Sequence, residues 1–303
     1  MKKAFLYCGL SILIGLTACK DNEYTYEFNY SVPTVNILTN NSDGSAVASR
    51  CVYSYEAKES NGTTIGSVTS SAIVIDGSSY TLQTSSGPFK NNTYTVAFDN
   101  LSGMMTGNRN IPVTDGKFVF TTVFNNPSFF GITTNYNFPQ QFAMCQYNIG
   151  DEYSVKTFPE NSFFTGSTTT EYPGQNGTES NSTNSIYYML SLNITDNTAT
   201  MYMFNAKFSG SPMEPAKAQI NIEGLSVEYN NGSIIAKGEN IIPVIVEGNV
   251  ETPYENYIFN NIEFKTTTTD LSECEINYTV AGRFRGNFLG SYIYNNKYIT
   301  DQN

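Results

Sequence analysis

Tyr94-Thr95-Val96-Ala97-Phe98 and Phe118-Val119-Phe120-Thr121-Thr122-Val123-Phe124 are the most regular stretches of the chain. Large apolar or β-branched side chains recur at every second position, the period of a strand with one buried face. The same reading covers Tyr80-Thr81-Leu82, Ile186 to Leu192, Ala199 to Phe204, Ala218 to Val227, Tyr257 to Lys265 and Cys274 to Phe284. Between such segments lie six turn pairs: Asp43-Gly44, Asn61-Gly62, Asp76-Gly77, Asp115-Gly116, Asn176-Gly177 and Asn231-Gly232. A tight hairpin turn places both central residues at positive φ, which these dipeptides tolerate best. After the N-terminal apolar run, no window of a dozen residues holds a 3.6-residue apolar repeat. The fold class is all-β.

Composition agrees and narrows the chemistry. Charged residues make up 14% of the chain, so its polarity comes from Asn, Ser, Thr and Gly, which favour turns and strand surfaces. There is no histidine, which removes every triad or metal site that needs imidazole. A formal charge of −11 leaves no basic surface to displace phosphate counterions, so nucleic acid is excluded as a general partner.

The N-terminus carries an address. Lys2 and Lys3 precede 13 apolar or small residues, Ala4 to Leu16, too short for a span of about 20 residues but suited to a signal-peptide core. The following Leu16-Thr17-Ala18-Cys19 resembles the lipobox of bacterial lipoproteins. In that family the cysteine is acylated and the chain is cut before it, so the resemblance implies lipidation at Cys19 and a signal peptide over 1–18. Cutting there leaves 285 of 303 residues, with 14 basic and 27 acidic side chains. Acyl chains supply many buried methylenes at ~0.8 kcal/mol each, enough to anchor an acidic protein to a membrane. Lys20-Asp21-Asn22-Glu23 resembles the export signal that sends Bacteroidota lipoproteins to the outer face of the outer membrane. The expected partner is therefore the membrane, through the lipid, and the expected location is the extracellular face.

Cys51, Cys145 and Cys274 remain in the body, an odd number without any C-x-x-C spacing. Each sits among strand residues and is expected to be a buried thiol acting as a small hydrophobe. The length suggests two β domains, with a lipid-anchored tether over 19–33, an N-terminal β domain over 34–155 and a C-terminal one over 156–303. Gly174 to Ser185, nearly all Gly, Asn, Ser and Thr, reads as a loop or as the linker itself. A loop is preferred, because Phe163 to Thr170 looks like a first strand needing a partner downstream. A weak internal echo matches Tyr80-Thr81-Leu82 followed by Asn100 to Gly103 with Tyr188-Met189-Leu190 followed by Lys207 to Gly210. Ile111-Pro112-Val113 and Ile242-Pro243-Val244 also match.

The second half carries Thr198 to Phe208 (T-A-T-M-Y-M-F-N-A-K-F), Met213, Ile222-Glu223-Gly224-Leu225, Ile241-Ile242-Pro243, Tyr257 to Ile262 and Tyr278 to Gly282. This succession resembles the calycin-like (lipocalin-like) β-barrel lipoproteins of Bacteroidota. It departs from them where Glu214, and not proline, follows Met213. The resemblance implies an antiparallel barrel in the C-terminal domain and fixes no ligand, cofactor or catalytic residue. Tandem β-sandwiches satisfy the same strand pattern.

Candidate chemistry is sparse. The carboxylate pairs Glu223/Glu228, Glu247/Glu251 and Glu273/Glu275 read as wet strand faces. Asn41-Ser42-Asp43-Gly44 reads as a hairpin turn, because no acidic residue closes a calcium loop. No metal, cofactor or catalytic residue is expected. Tyrosine clusters are the remaining lead for a glycan or small apolar ligand: Tyr187-Tyr188, Tyr254 with Tyr257, and Tyr292 with Tyr294. The sequence thus describes an anchored, non-catalytic binding module. The other readings are a structural or adhesion component of a surface assembly and, third, an enzyme.

Overall fold

The computed structural model describes residues 25–60, 63–91, 95–122, 141–175, 177–208, 216–266 and 273–292. Two closed eight-stranded antiparallel barrels follow one another along the chain. The first is a meander of β1 (Thr25–Asn40), β2 (Ala46–Ser60), β3 (Thr63–Ser70), β5 (Ser78–Thr84) with β6 (Gly87–Asn91), β7 (Thr95–Thr106), β8 (Asn110–Thr122), β9 (Gln141–Ile149) and β10 (Tyr153–Phe158). β5 and β6 share one place in the ring, since both pair with β3 and β7. Pairing of β10 with β1 closes it, and the short β4 (Ile73–Ile75) pairs with β5.

The second ring runs β11 (Asn161–Gly174), β13 (Tyr187–Asn193), β14 (Thr198–Ala206), β15 (Lys217–Asn230), β16 (Ser233–Ile241), β19 (Phe259–Thr266), β20 (Glu273–Val280) and β21 (Phe284–Tyr292). β21 returns to β11. β12 (Gly177–Thr183) and the hairpin of β17 (Val244–Glu247) and β18 (Val250–Pro253) branch off it. Barrel geometry replaces the sandwich alternative, and it extends to the first domain as well as the second.

Several local readings change. Cys274 to Phe284 is two strands: Ala281 and Gly282, both at positive φ, turn the chain between β20 and β21. Tyr257 ends a short 3-10 turn (Glu255–Tyr257) before β19. Asp115-Gly116 is a bulge inside β8, where the register shifts against β9, while Asp43-Gly44, Asp76-Gly77 and Asn231-Gly232 do turn hairpins. Within the Gly174 to Ser185 stretch, Gly177–Thr183 is strand β12, paired along β11, with both faces in solvent and hence no alternation to read, and Gly174 ends β11. Residues 25–33, taken as tether, belong to β1, and Lys156, Thr157 and Phe158 belong to the first barrel through β10. The ring changes over between Phe158 and Asn161. Tyr94, Val123, Phe124, Asn61, Gly62 and Asn176 lie outside the described residues, as do Met213 and Cys19.

Both interiors are filled by side chains. In the first, Tyr55, Phe98 and Phe120 meet at ring distances of 4.6–6.5 Å, and Phe118 stacks on Tyr147 at 5.6 Å. In the second, Phe164 packs on Phe264 at 5.3 Å and Tyr188 on Phe288 at 4.4 Å. Each interior also holds a polar rung from the first, second and seventh strands of its ring. Tyr53 of β2 donates to Asn36 Oδ1 of β1 at 2.8 Å, and its hydroxyl lies 2.8 Å from that of Tyr147 on β9. The matching places in the second ring hold Thr168 and Tyr188, 3.3 Å apart, and Tyr278. The sequence echo, by contrast, puts Tyr80 on the fourth strand of one ring and Tyr188 on the second strand of the other.

The first barrel keeps its own interior core, but its outer wall joins the core of the second. Val35 and Ile37 of β1 and Phe158 of β10 point out of the first barrel, are fully buried, and pack in the same cluster as the second barrel's interior. Ala46, Ala48 and Met144 add to this wall. A bridge between Ser45 and Asn230, and Arg50 Nη2 at 2.6 Å from Glu160, flank the seam.

The three body cysteines are free and buried. Desolvation pushes the thiols of Cys145 and Cys274 well up, which keeps them protonated and unreactive. Burial also raises the phenols of Tyr53, Tyr147 and Tyr188 well above their usual value, and that of Tyr55 to about 12. These folded values exceed the unfolded value near 10, so the stability they contribute is complete below that pH. It is lost as pH rises through 10 toward 12 and beyond. Alkaline titration is therefore expected to show late phenolate absorbance that appears together with unfolding. A single class ionising near pH 10 in a protein that stays native contradicts it.

Candidate functional site

The sequence singled out Tyr254 and Tyr257, and the fold brings them together. The Tyr257 amide donates to the Tyr254 carbonyl at 3.0 Å, closing the 3-10 turn and laying the two rings parallel at 4.5 Å and 11°. Phe284 continues the stack at 6.0 Å and 15° from Tyr257. Both ends are covered by cations, Lys217 Nζ at 5.4 Å over Tyr254 and Arg283 Cζ at 4.9 Å over Phe284. Phe208, buried, touches Tyr257 at 5.3 Å. The column is half-buried against the second barrel's core. Its ring faces meet one another and the two cations, so a sugar ring reaches a Tyr254 face only by displacing Lys217.

The other tyrosine candidates separate. Tyr188 points into the barrel, while Tyr187 is half-buried and stacks on Phe163 at 6.0 Å. Tyr292 is placed by its backbone opposite Phe164, and Tyr294 lies outside the described residues. Glu273 and Glu275 share the outer face of β20, as expected of alternate positions. Glu223, Glu228, Glu247 and Glu251 are all exposed. Among the described residues no three Asp, Glu, Cys or His side chains are placed to hold a metal ion.

A site the sequence did not single out lies on the outer wall of the second barrel. It is a cleft of about 300 Å³ across β11, β21, β20 and β19. Strand register builds it in rows. One row is Asn261, Thr279, Arg285 and Glu171; the next is Glu263, Asn277, Asn287 and Thr169. Alternation decides which side chains face out: Ile276, Tyr278, Val280, Phe284 and Phe288 are buried, so their neighbours are not. Asn277 Nδ2 donates to Glu275 Oε1 at 2.8 Å, and Asn287 Nδ2 donates to the same oxygen at 3.0 Å and to Asn277 Oδ1 at 2.7 Å. Thr169 and Ser182 hydroxyls meet at 2.9 Å on the β12 side. Beneath the cleft Gly286 has no side chain, and the Tyr278 ring takes the space a Cβ would need. Each strand's alternation was legible, but the site depends on which residues fall opposite one another across four strands, and no single segment carries that information.

No family model, curated protein or solved structure matches the chain. The likeness to a calycin-like fold therefore rests on its closed eight-stranded antiparallel barrels.

Proposed function

We propose that the chain is a lipid-anchored outer-membrane protein, exposed on the cell surface, that acts as a non-catalytic binding module for a glycan or small ligand. The observation that carries the binding role is the outer cleft of the second barrel, where amides, hydroxyls, a carboxylate and a guanidinium converge. Barrel interiors packed with aromatic rings move the ligand outside, in contrast to a carrier with an internal cavity. Anchoring rests on the Leu16 to Cys19 tetrad behind its positively charged leader.

Assembly through strand edges is the second reading, favoured by the fully exposed β18 and nearly fully exposed β12. Glu179 within β12 and Pro253 at the end of β18 blunt both edges, so edge-to-edge growth is disfavoured. Cys19→Ser is expected to move the protein from the membrane fraction to the soluble one, and protease treatment of intact cells is expected to digest the unaltered chain. Retention of the serine variant in membranes overturns the anchor; full protection from protease overturns surface exposure.

A further inference from the structure

The two rows of the outer cleft differ in how their polar groups are satisfied. Asn277 and Asn287 of one row are tied to each other and to Glu275 beside the cleft, which fixes them. Asn261, Thr279, Arg285 and Glu171 have, among the described residues, no hydrogen-bond or ion-pair partner for their side chains. They face solvent as an open row across four strands. Glu171 and Arg285 lie opposite each other on β11 and β21, an acceptor-only group beside a donor-only one.

We infer that this cleft binds a neutral, hydroxyl-rich glycan laid across the strands, with Glu171 and Arg285 together holding a vicinal diol. The inference rests on reading the chain as a binding module and names that module's ligand class. A hydroxyl both donates and accepts, so a diol satisfies the carboxylate and the guanidinium at once. A phosphate, sulfate or uronate would face Glu171 on a chain of formal charge −11, and a cation would face Arg285. Along the row a new amide, hydroxyl or charged group recurs at each strand, about 4.8 Å apart, and Ser180 of β12 extends it beyond Glu171. Since the nine lining residues offer no exposed aromatic face, affinity comes from hydrogen bonds and accumulates with repeats; a polymer is held better than its monomer.

The test runs the full chain in detergent through native gels containing neutral polysaccharides (β-glucan, mannan or galactan) or acidic ones (a polyuronate or a sulfated glycan). Retardation by at least one neutral polymer and by no acidic one is expected. Glu171→Gln and Arg285→Ala, both on the barrel's outside, are each expected to weaken it about tenfold or more with circular dichroism unchanged. Equal retardation of both variants overturns the site and leaves the module reading standing. Retardation by acidic polymers alone overturns the neutral class. No retardation by any polymer, together with no change in mobility on adding monosaccharides, overturns both the inference and the glycan-binding reading beneath it.

Discussion

A Phe158→Ala chain is expected to lose about 3–5 kcal/mol of stability, with both barrels unfolding earlier and together. The ring belongs by backbone to β10 of the first barrel but is fully buried in the cluster that fills the second. Truncation removes transfer free energy and leaves a void at the seam, where Val35 and Ile37 on one rigid strand cannot close over it. Urea or thermal unfolding followed separately by near-ultraviolet and far-ultraviolet circular dichroism measures the effect. Coincident shifts of both signals support coupling of the two barrels through the seam. Two resolved transitions, of which only one moves, would show that the barrels are independent. Leu289→Ala, at a position 59% exposed, is the control and is expected within about 0.5 kcal/mol of the parent.

The second large effect is a contrast between two hydroxyl deletions. Tyr53→Phe removes the hydroxyl between Asn36 and Tyr147, so the Asn36 oxygen loses its donor while its Nδ2 already has no partner among the described residues. Stranding buried polar groups costs about 1–3 kcal/mol each, and the fully buried Asn36 amide cannot turn to water. Tyr278→Phe deletes a buried hydroxyl that, among the described residues, lies near Tyr188 and Thr170 without a well-formed hydrogen bond, which is expected to be neutral or mildly stabilising. Chemical denaturation of both variants under one condition decides the matter. Equal losses would mean that the hydroxyl of Tyr53 is no better satisfied than that of Tyr278.

The parts of the fold that were legible share one property: a strand with one dry and one wet face writes a period of two. β5 and β20 are of that kind throughout, and β14 and β19 are too but for one break each, whereas bulges in β7 shift its buried positions to Thr95, Phe98, Leu101 and Met105. β1 is not, because from Thr34 to Ile37 it is buried on both faces, inside one barrel and against the other. β12 fails in the opposite sense, wet on both sides. Ala281-Gly282 turns a hairpin without the Asn or Asp that usually marks one, and Asp115-Gly116 supplies positive φ to a bulge instead. The tyrosine column was half visible, since Tyr254 and Tyr257 are close in sequence whereas Phe284 and Lys217 come from other strands. The outer cleft was hidden altogether, because cross-strand register is a property of the closed ring.

Were Cys19 lipidated as proposed, the early start of β1 would set a stand-off distance. Five residues separate Cys19 from Thr25, a leash of at most roughly 20 Å. With acyl chains on Cys19, the rim where β1 begins would rest close to the lipid headgroups. Val35, the first of the seam residues, comes ten residues farther along the strand, about 33 Å at the usual rise. The first barrel would then act as a pedestal, lifting its neighbour and the polar rows on that neighbour's wall clear of the bilayer, toward whatever polymers surround the cell.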